Sequence, residues 1–346
     1  MGKDKLYILA FESSCDETSV AVLQNDKVIS NVILSQEYHT TFGGVVPEIA
    51  SREHLRKIVE MTDASLKKAN LEMKDIDLVA ATSEPGLIGA ILIGLSFAKS
   101  LAATLNKPFI PINHIHAHLY SAFINDNKPE FPFIALIVSG GHTLLILVED
   151  FFKHKILGTT IDDAVGEAFD KVAKMMGLGY PGGPLIDRFA KNGDIGFHEF
   201  PISVIKNSKY NFSFSGIKTS VLYYLRDNNF HSVKNDKLIS DISASFQHAA
   251  IKTLFSKVKK AAREYKVKDV AISGGVSANS YLKQMFKTLE RDGYRIYIPE
   301  LIYTTDNAAM IGITAYYKYL ASKEKEYFSK ESFAVKARPR LDYNNF

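Results

Sequence analysis

The sequence has almost no capacity for disulfide bonding, because its 346 residues include a single cysteine, Cys15. One thiol cannot form an internal disulfide bond, so a reducing compartment is allowed. A strong charge of either sign is missing too, since 42 basic and 38 acidic residues leave a net charge of +4. That excess is too small to indicate a nucleic-acid partner, although it does not oppose a polyanionic one.

Long apolar runs are also missing from the sequence. The most apolar stretch, residues 87–98, is shorter than a bilayer span and contains two glycines. The apolar residues near the start, 6–11, are too few for a signal peptide and are interpreted as a β-strand. We therefore expect a cytoplasmic protein without a membrane segment.

The length and the order of the predicted elements indicate two α/β lobes. A chain of 346 residues exceeds what one hydrophobic core usually supports. Strands are predicted at 6–11, 18–24, 28–35, 78–82, 133–139, 143–148, 156–160, 269–273 and 295–298, and helices at 47–68, 85–105, 163–176, 237–265, 278–292 and 307–320. Three strands followed by alternating helices and strands thus occur twice. This pattern predicts a duplicated lobe with a cleft between the copies.

Three histidines crowd into residues 114–118 of a chain that has ten in all. His114 and His118 are four residues apart, so on a helix both imidazoles project from one face and can share a metal ion. Asp306, at the predicted start of the last helix, could supply an oxygen ligand. Such a set suits iron or zinc, and the sequence does not separate the two. The ordinary alternative is one core histidine with two solvated ones.

A metallopeptidase is the competing interpretation of a histidine pair on a helix. A zincin-type helix carries Glu directly after the first His, because that Glu acts as the general base toward the attacking water. Here the position holds Ile115, which cannot move a proton. Peptide hydrolysis is therefore disfavoured.

Glycine pairs follow two of the predicted strands, at residues 139–141 and 273–275. Glycine turns expose backbone N–H groups to an anion, and a helix N-terminus adds to this preference. One such pair is often only a tight turn. Two of them, each after a buried strand of a duplicated pattern, favour a nucleotide site, although the sequence has neither a Walker A motif nor a GxGxxG fingerprint.

Acidic residues cluster at the start of the predicted helix that begins at Asp163. On a helix Asp163, Glu167 and Asp170 share one face, and the preferred interpretation of Asp163 is an acidic first turn that stabilises the helix dipole. The rigid turn 180–184 follows, with Asp187 one helical turn beyond it. Carboxylates beside such a turn can hold ribose hydroxyls.

Three surface segments allow more than one interpretation. Residues 212–218 are interpreted as an edge strand. Basic residues gather in 257–268 and 336–340, where a charge run is usually a solvated face but could also contact a phosphate backbone. Residues 192–211 and the tail from Ser322 lack periodicity and are predicted to be loops.

Taken together, these motifs resemble the TsaD family, historically called Gcp and related to Kae-type proteins, over nearly the whole length. The matching stretches are residues 12–18, 43–48, 113–118, 138–142, 167–171, 180–184, 212–218, 274–279, 306–309 and 338–340. So many ordered motifs are not expected by chance. Glu84 departs from the family pattern, which has glycine or another small residue there, so the turn around it is expected to differ.

The resemblance implies an α/β fold of the ASKHA type, the duplicated two-lobe architecture of actin, hexokinase and Hsp70, with a nucleotide and metal site between the lobes. We expect an N-terminal lobe over residues 1–125 and a C-terminal lobe over residues 126–320. Part of the tail, about residues 321–346, is expected to pack back on the first lobe.

The resemblance also implies an activity, that of a tRNA N6-adenosine threonylcarbamoyltransferase. Such an enzyme transfers a threonylcarbamoyl group from threonylcarbamoyl-AMP to the exocyclic amine of the adenosine 3′ of the anticodon in ANN-decoding tRNAs and releases AMP. Because AMP is a good leaving group, no protein nucleophile is required. The alternative from another class is an ATP-binding regulatory or chaperone-like module of this fold, which would have no need of the imidazole pair and Asp306.

By matching motif, the resemblance assigns one divalent metal ion, Fe²⁺ in preference to Zn²⁺, to His114, His118 and Asp306. The residues assigned to the adenylate and its threonylcarbamoyl group are Ile137, Val138, Ser139, Gly140, Gly141, Asp170, Gly183, Asp187 and Asn279. Asp16 is the candidate for a catalytic role. Bacterial members work with a TsaB-like paralogue, a TsaE-like ATPase and a TsaC-like enzyme that makes the adenylate, and the same partners are expected here in addition to tRNA.

Overall fold

The computed structural model describes residues 5–36, 44–206, 208–322 and 330–340. The chain divides into two compact units, residues 1–128 with 305–346 and residues 129–304. Each unit is built on a five-stranded sheet with helices packed against it. The α/β class predicted from the sequence is therefore present in both units.

The strands are β1 (Tyr7–Glu12), β2 (Glu17–Gln24), β3 (Lys27–Ser35), β4 (Leu78–Glu84), β5 (Phe109–Asn113), β6 (Phe133–Val138), β7 (Thr143–Asp150), β8 (Lys153–Thr159), β9 (Asp269–Ser273) and β10 (Arg295–Tyr297). The α-helices are α1 (Pro47–Ala69), α2 (Ile88–Leu105), α3 (His114–Tyr120), α4 (Val165–Met176), α5 (Gly182–Ala190), α6 (Ser215–Asp227), α7 (Phe230–Val233), α8 (Asp236–Glu264), α9 (Ser280–Lys287), α10 (Ala308–Ala321) and α11 (Lys330–Ala334).

The two sheets have the same strand order. It is β3-β2-β1-β4-β5 in the first unit and β8-β7-β6-β9-β10 in the second. In each sheet three antiparallel strands are followed by two strands that run parallel to the first of the three. The duplication predicted from the sequence is therefore confirmed as a repeat of topology.

The core of the first unit lies between its sheet and helices α1 and α2. Leu9 and Phe11 of β1 pack there with Ile58 of α1 and Leu95 of α2. The buried side of α1 includes His54 and Ile58. Leu55 of the same helix lies on the outer side and is 63% exposed.

One helix in the described part of the chain is long and apolar enough to cross a membrane by length and composition alone. It is α2, with a mean hydropathy of 1.8. Ile91, Leu95, Ala98 and Ala102 of this helix are buried in the core of the first unit. Helix α2 therefore packs as the core helix of an α/β unit does.

The last long helix, α10, belongs to the first unit, which corrects the expectation that the second lobe extends to residue 320. The Ala308 N–H donates to Ser19 Oγ at 2.9 Å, and a Cβ added to Gly312 would meet Leu23 Cδ1 at 2.1 Å. The next strand position, Val22, points to the opposite face and packs with α1 and α2. Helix α10 therefore covers the second face of the same sheet.

The described part of the tail, residues 330–340, also packs on the first unit. The Phe333 ring lies 5.8 Å from that of Phe109, and the Arg338 N–H donates to the Ser83 carbonyl at 2.9 Å. Residues 323–329 and 341–346 of the predicted tail lie outside the described residues.

In the second unit, residues 212–218 do not form the predicted edge strand. Phe212 makes an isolated bridge with Thr160, and α6 begins at Ser215. The reason is a contact between residues far apart in sequence, because an Asp162 carboxylate oxygen accepts the Phe214 N–H at 2.8 Å and so stabilises the start of the helix. The sequence patterns predicted neither helix α5 nor helix α6. They did not predict strand β5 either, because its five residues include Pro111 and proline is rare inside strands.

Candidate metal centre and nucleotide-binding turns

The histidine pair lies on α3, which begins directly after β5. The Asn113 side chain caps this helix by accepting the N–H groups of Ile115 at 2.8 Å and His116 at 3.2 Å. The cap fixes the first turn, so that His114 and His118 project from one side with ring centroids 4.6 Å apart. Both imidazoles are buried. The helical placement on which the metal prediction depended is therefore present.

Asp306 completes a triangle of donor atoms with the two histidines. His118 Nε2 lies 3.1 Å from His114 Nε2 and 3.1 Å from Asp306 Oδ1, and the third side, His114 Nε2 to Asp306 Oδ1, is 3.4 Å. An ion about 2.1 Å from each atom would see these edges at angles of roughly 95–110°. The three residues therefore fit one divalent metal ion. Asp306 keeps 20% of its side-chain exposure, so the set is reachable from solvent.

Glu12, at the end of β1, orients His114 from behind. Its Oε2 lies 3.0 Å from His114 Nδ1 and accepts the Thr82 hydroxyl at 2.5 Å. Its Oε1 accepts the Ser14 N–H at 2.5 Å. A carboxylate beside Nδ1 keeps the proton there and leaves Nε2 as the metal-binding lone pair. Within the described residues, the other ring nitrogen of His118, Nδ1, has no such hydrogen-bond partner.

The carboxylates of Asp306 and Glu12 lie close to the imidazoles of His114 and His118 and shift their pKa values. Burial favours neutral His114, but Asp306 and Glu12 outweigh it and raise the pKa of His114 well above its usual value. Burial lowers the pKa of His118, despite its hydrogen bond to Asp306. Burial opposes ionisation of Asp306 as well, yet the two histidines hold its pKa well below the usual range. An ionised carboxylate facing two imidazoles suits a divalent cation.

The turn between β1 and β2 adds further carboxyl groups. Asp16, the candidate catalytic residue, is half-buried in this turn. Burial, and then the charges of Asp306 and Asp16, raise the pKa of the neighbouring Glu17 well above its usual value. Burial and Asp16 likewise raise the pKa of Cys15. This thiol is therefore not an activated nucleophile.

The second unit brings the two glycine turns together. Strands β6 and β9 are parallel neighbours, with Ile137 opposite Ser273, so the turns that follow them meet at one edge of the sheet. Gly274 has a φ of 91°, and a Cβ there would lie 2.4 Å from the Val138 carbonyl oxygen. A Cβ on Gly166 would meet the Ser139 carbonyl oxygen at 2.6 Å. The start of α4 therefore packs against the same turn.

The side chains predicted to contact the adenylate form hydrogen bonds with other residues of the second unit. Asp170 accepts the Gly182 N–H at 2.7 Å. Asp187 accepts the Ser280 hydroxyl at 2.8 Å. Asn279 caps α9 and donates to Gln247 at 2.6 Å. These side chains hold the turns in place.

Several glycines leave their backbone open beside these turns. A Cβ added to Gly140, Gly141, Gly183 or Gly275 would have no heavy atom within 4 Å. This free space lets an anionic oxygen approach the backbone of the turns. All residues that the family resemblance assigns to the adenylate belong to the second unit. The three residues of the metal-ligand set all belong to the first unit.

The sequence reasoning missed three residues that shape the metal centre. Glu12 and Thr82 lie at the ends of β1 and β4, which are parallel neighbours, and a parallel pairing prediction could have brought them together. His54 on α1 contacts the Thr18 hydroxyl at 2.7 Å and the Cys15 carbonyl at 3.0 Å. No sequence signal connects His54 to this turn, because the contact spans separate elements.

The sequence model of the TsaD family, described as tRNA N6-adenosine threonylcarbamoyltransferase, matches residues 27–313. The chain belongs to this family. A protein of Christiangramia forsetii with the same name is 49% identical over 352 residues, which cover 99% of this chain and 100% of that protein. One from Chlorobium phaeovibrioides is 51% identical over 88% of this chain and 92% of its own length. The TsaD resemblance stated from the motifs is thereby confirmed.

Solved structures support the ASKHA fold. Full-length HypF in a phosphate- and nucleotide-bound form has a TM-score of 0.60 at 15% identity, covering 91% of this chain and 46% of HypF. The activator of 2-hydroxyisocaproyl-CoA dehydratase from Clostridium difficile, with bound ADPNP, has a TM-score of 0.53 at 15% identity, covering 92% of this chain and 98% of the activator. At such identities the likeness concerns the fold alone.

Family membership decides among the candidate activities. This TsaD chain is a transferase that modifies adenosine in tRNA, as its family and its relatives are named. The metallopeptidase and the purely regulatory module are not favoured by these relatives. The residue after the first histidine, Ile115, is buried and apolar, which agrees with the argument against peptide hydrolysis.

Proposed function

We propose that the enzyme transfers the threonylcarbamoyl group of threonylcarbamoyl-AMP to N6 of the adenosine 3′ of the anticodon in ANN-decoding tRNAs. The observation that carries this proposal is the triangle of His114, His118 and Asp306, with Glu12 behind it, in a chain of the TsaD family. A nucleotide-binding module without group transfer has no use for such a set.

The bond changes of this reaction need no protein nucleophile. The N6 amine attacks the carbamoyl carbon, the new C–N bond forms, and the bond from that carbon to the phosphate oxygen breaks, so that AMP leaves with the electron pair. When bound at His114, His118 and Asp306, a divalent ion supplies Lewis-acid polarisation of the carbonyl. We propose Asp16 as the carboxylate that accepts the proton released from the amine.

The adenylate is proposed to bind at the turns of the second unit. Its anionic and polar oxygens would approach the backbone at Gly140, Gly141 and Gly275, where a Cβ would meet no heavy atom within 4 Å. Asp170, Asp187 and Asn279 fix the positions of these turns through the hydrogen bonds described above. Holding donor and acceptor in one orientation removes much of the entropic cost of a reaction between two substrates.

The proposed metal is Fe²⁺, with Zn²⁺ as the second choice. Two imidazoles and one carboxylate with remaining open positions match non-haem iron, and zinc accepts the same donors. Cys15 does not belong to the donor set. The proposed compartment is the cytoplasm, where a free thiol such as Cys15 stays reduced.

The proposed protein partners are a TsaB-like paralogue and a TsaE-like ATPase. Helices α1 and α2 place large apolar side chains on the outside of the first unit, namely Leu55, Val59, Ile88 and Leu92, which are 51–63% exposed. Clustered exposed apolar residues of this size mark interaction surfaces. This apolar patch is proposed to receive the paralogue.

The deciding experiment measures threonylcarbamoyl transfer from the adenylate to an ANN-decoding tRNA, with the purified partners, for wild type and His114→Ala/His118→Ala. We expect the double variant to lose both bound metal and transfer while it still binds AMP. If wild type does not modify tRNA with the partners present, yet binds nucleotide, the regulatory module replaces the transferase. If the variant loses metal and keeps full activity, the metal does not take part in the transfer.

A further inference from the structure

The C-terminal segment 332–340, here called the strap, is fixed to the first unit at several points. Ser332 Oγ donates to the Phe109 carbonyl and Lys99 Nζ to the Val335 carbonyl. Phe333 and Ala337 pack against the core of the unit. At its far end, the Gly86 N–H donates to the Pro339 carbonyl at 3.3 Å. The strap is thus a bound element with a defined inner and outer side.

The strap ends beside the metal centre. The backbone N–H of Arg338 donates to the Ser83 carbonyl. The residue before Ser83, Thr82, donates its hydroxyl to Glu12. Leu87, next to the strap contact at Gly86, donates its N–H to the Ser14 carbonyl at 2.7 Å. Ser14 Oγ in turn lies 3.2 Å from His114 Nδ1. Both contacts of the strap are therefore a few residues from the groups that hold His114, and all of them belong to one unit.

The outer side of the strap is cationic. Lys336, Arg338 and Arg340 are exposed, and residues 332–341 contain no acidic residue. Among the described residues, Arg338 has an ion pair with Glu84, at a loose 3.6 Å, and none is recorded for Lys336 or Arg340. Fixed exposed cations beside a catalytic centre, with little local neutralisation, suit a polyanionic substrate.

We propose that Lys336, Arg338 and Arg340 bind the phosphate backbone of the substrate tRNA close to the nucleotide that is modified. The proposal rests on the proposed function, which makes tRNA the acceptor. Glu84 tunes this contact, because its carboxylate pairs with Arg338 while its other oxygen lies 3.4 Å from Asn113 Nδ2. The unusual carboxylate thus weakens the contact of the strap with RNA.

The test compares Lys336→Gln/Arg338→Gln/Arg340→Gln with a control of equal charge change, Lys67→Gln/Lys68→Gln/Lys74→Gln. The control lysines are exposed at the end of α1 and on the turn before β4. The dissociation constant of an unmodified ANN-decoding tRNA is measured for the full chain between 50 and 200 mM salt, roughly the range over which phosphate contacts are lost. We expect the strap variant to bind about tenfold more weakly and its log–log salt slope to fall by about 2 to 3, with the control near wild type.

Two further measurements separate the possible causes. Glu84→Gln keeps the oxygen that faces Asn113 and removes the charge, so it should tighten tRNA binding about twofold to fivefold. In the transfer assay the strap variant should raise KM for tRNA while KM for the adenylate and the bound metal stay unchanged.

Three results would overturn the assignment. One is an equal loss of tRNA affinity in strap and control variants, which would indicate general electrostatics. A second is an unchanged tRNA affinity together with weaker binding of a protein partner, which would make the strap a protein interface. The third is a wild-type enzyme that modifies tRNA normally and a strap variant that does the same. Failure of wild-type transfer would instead reject the proposed function.

Discussion

His114 Nδ1 lies 3.0 Å from Glu12 Oε2, and this contact determines which nitrogen of His114 can bind a metal ion. Glu12 is fully buried and accepts two further hydrogen bonds, from Thr82 and Ser14. Its ionised carboxylate has no proton to donate, so in neutral His114 the proton stays on Nδ1 and the lone pair of Nε2 faces the ion that displaces the second proton.

The first prediction follows from this tautomer preference. In Glu12→Gln, the amide oxygen is needed by the Ser14 N–H, so the amide N–H₂ group faces His114 Nδ1 and favours the tautomer with the proton on Nε2. We expect about 10- to 100-fold weaker binding of Fe²⁺ or Zn²⁺, measured by chelator competition. Glu60→Gln, on the exposed side of α1, is the control. Equal affinities of Glu12→Gln and wild type would contradict the orienting role.

The glycine pair 274–275 gives a second prediction with a built-in control. Gly274→Ala places a Cβ 2.4 Å from the Val138 carbonyl oxygen at a φ of 91°, so we expect it to lower the free energy of unfolding by about 2 kcal/mol. Gly275→Ala meets no atom within 4 Å and should be close to neutral in stability while weakening AMP binding. Urea unfolding and AMP titration check both. A stable Gly274→Ala would show that the turn can relax.

The third prediction concerns pH and Asp163. The prediction that Asp163 stabilises the helix dipole from the first turn is wrong, because α4 begins two residues later at Val165. Asp163 instead pairs with Lys171 at 2.7 Å and with Lys218. Burial opposes its ionisation, but the hydrogen bonds from the two lysines outweigh burial and lower the pKa of Asp163.

A carboxyl group with a lowered folded-state pKa stabilises the fold above its unfolded pKa, and this stabilisation is lost as the pH falls through the folded pKa. We expect Asp163→Asn to be about 1 kcal/mol less stable than wild type at pH 7. The difference should shrink once the pH falls below about 4. Urea titrations at several pH values measure it, with Asp227→Asn on the exposed side of α6 as the control. A difference that is constant with pH would rule out the ion pairs as its cause.

The fourth prediction tests the apolar patch on α1 and α2. Leu55→Ser/Leu92→Ser removes two side chains that are 63% and 52% exposed, so the thermal midpoint should change little. Binding of the TsaB-like paralogue should weaken by about tenfold or more, because buried apolar anchors dominate interfaces. Calorimetric titration measures the affinity, and Leu320→Ser, 60% exposed on α10, is the control. Unchanged affinity would place the interface elsewhere.

Much of the local structure was predictable because hydrophobic periodicity and turn residues act over short distances. Asn25 and Asp26, for example, join β2 to β3 in a hairpin, with Asn25 at a φ of 57°. The strand prediction at 212–218 failed because a distant carboxylate, Asp162, caps α6. Strand β5 was not predicted because it contains Pro111, and proline is rare inside strands.

The sequence by itself determined the family, the duplicated α/β topology and the candidate ligands His114 and His118, because their spacing of four residues places both on one side of any helix. Only the tertiary structure brought Asp306 to within 3.1 Å of His118 and Glu12 behind His114. It also assigned α10 to the first unit. These relationships join residues that are far apart in the chain, and they depend on sheet pairing and on the packing of α10, which no local pattern of residues encodes.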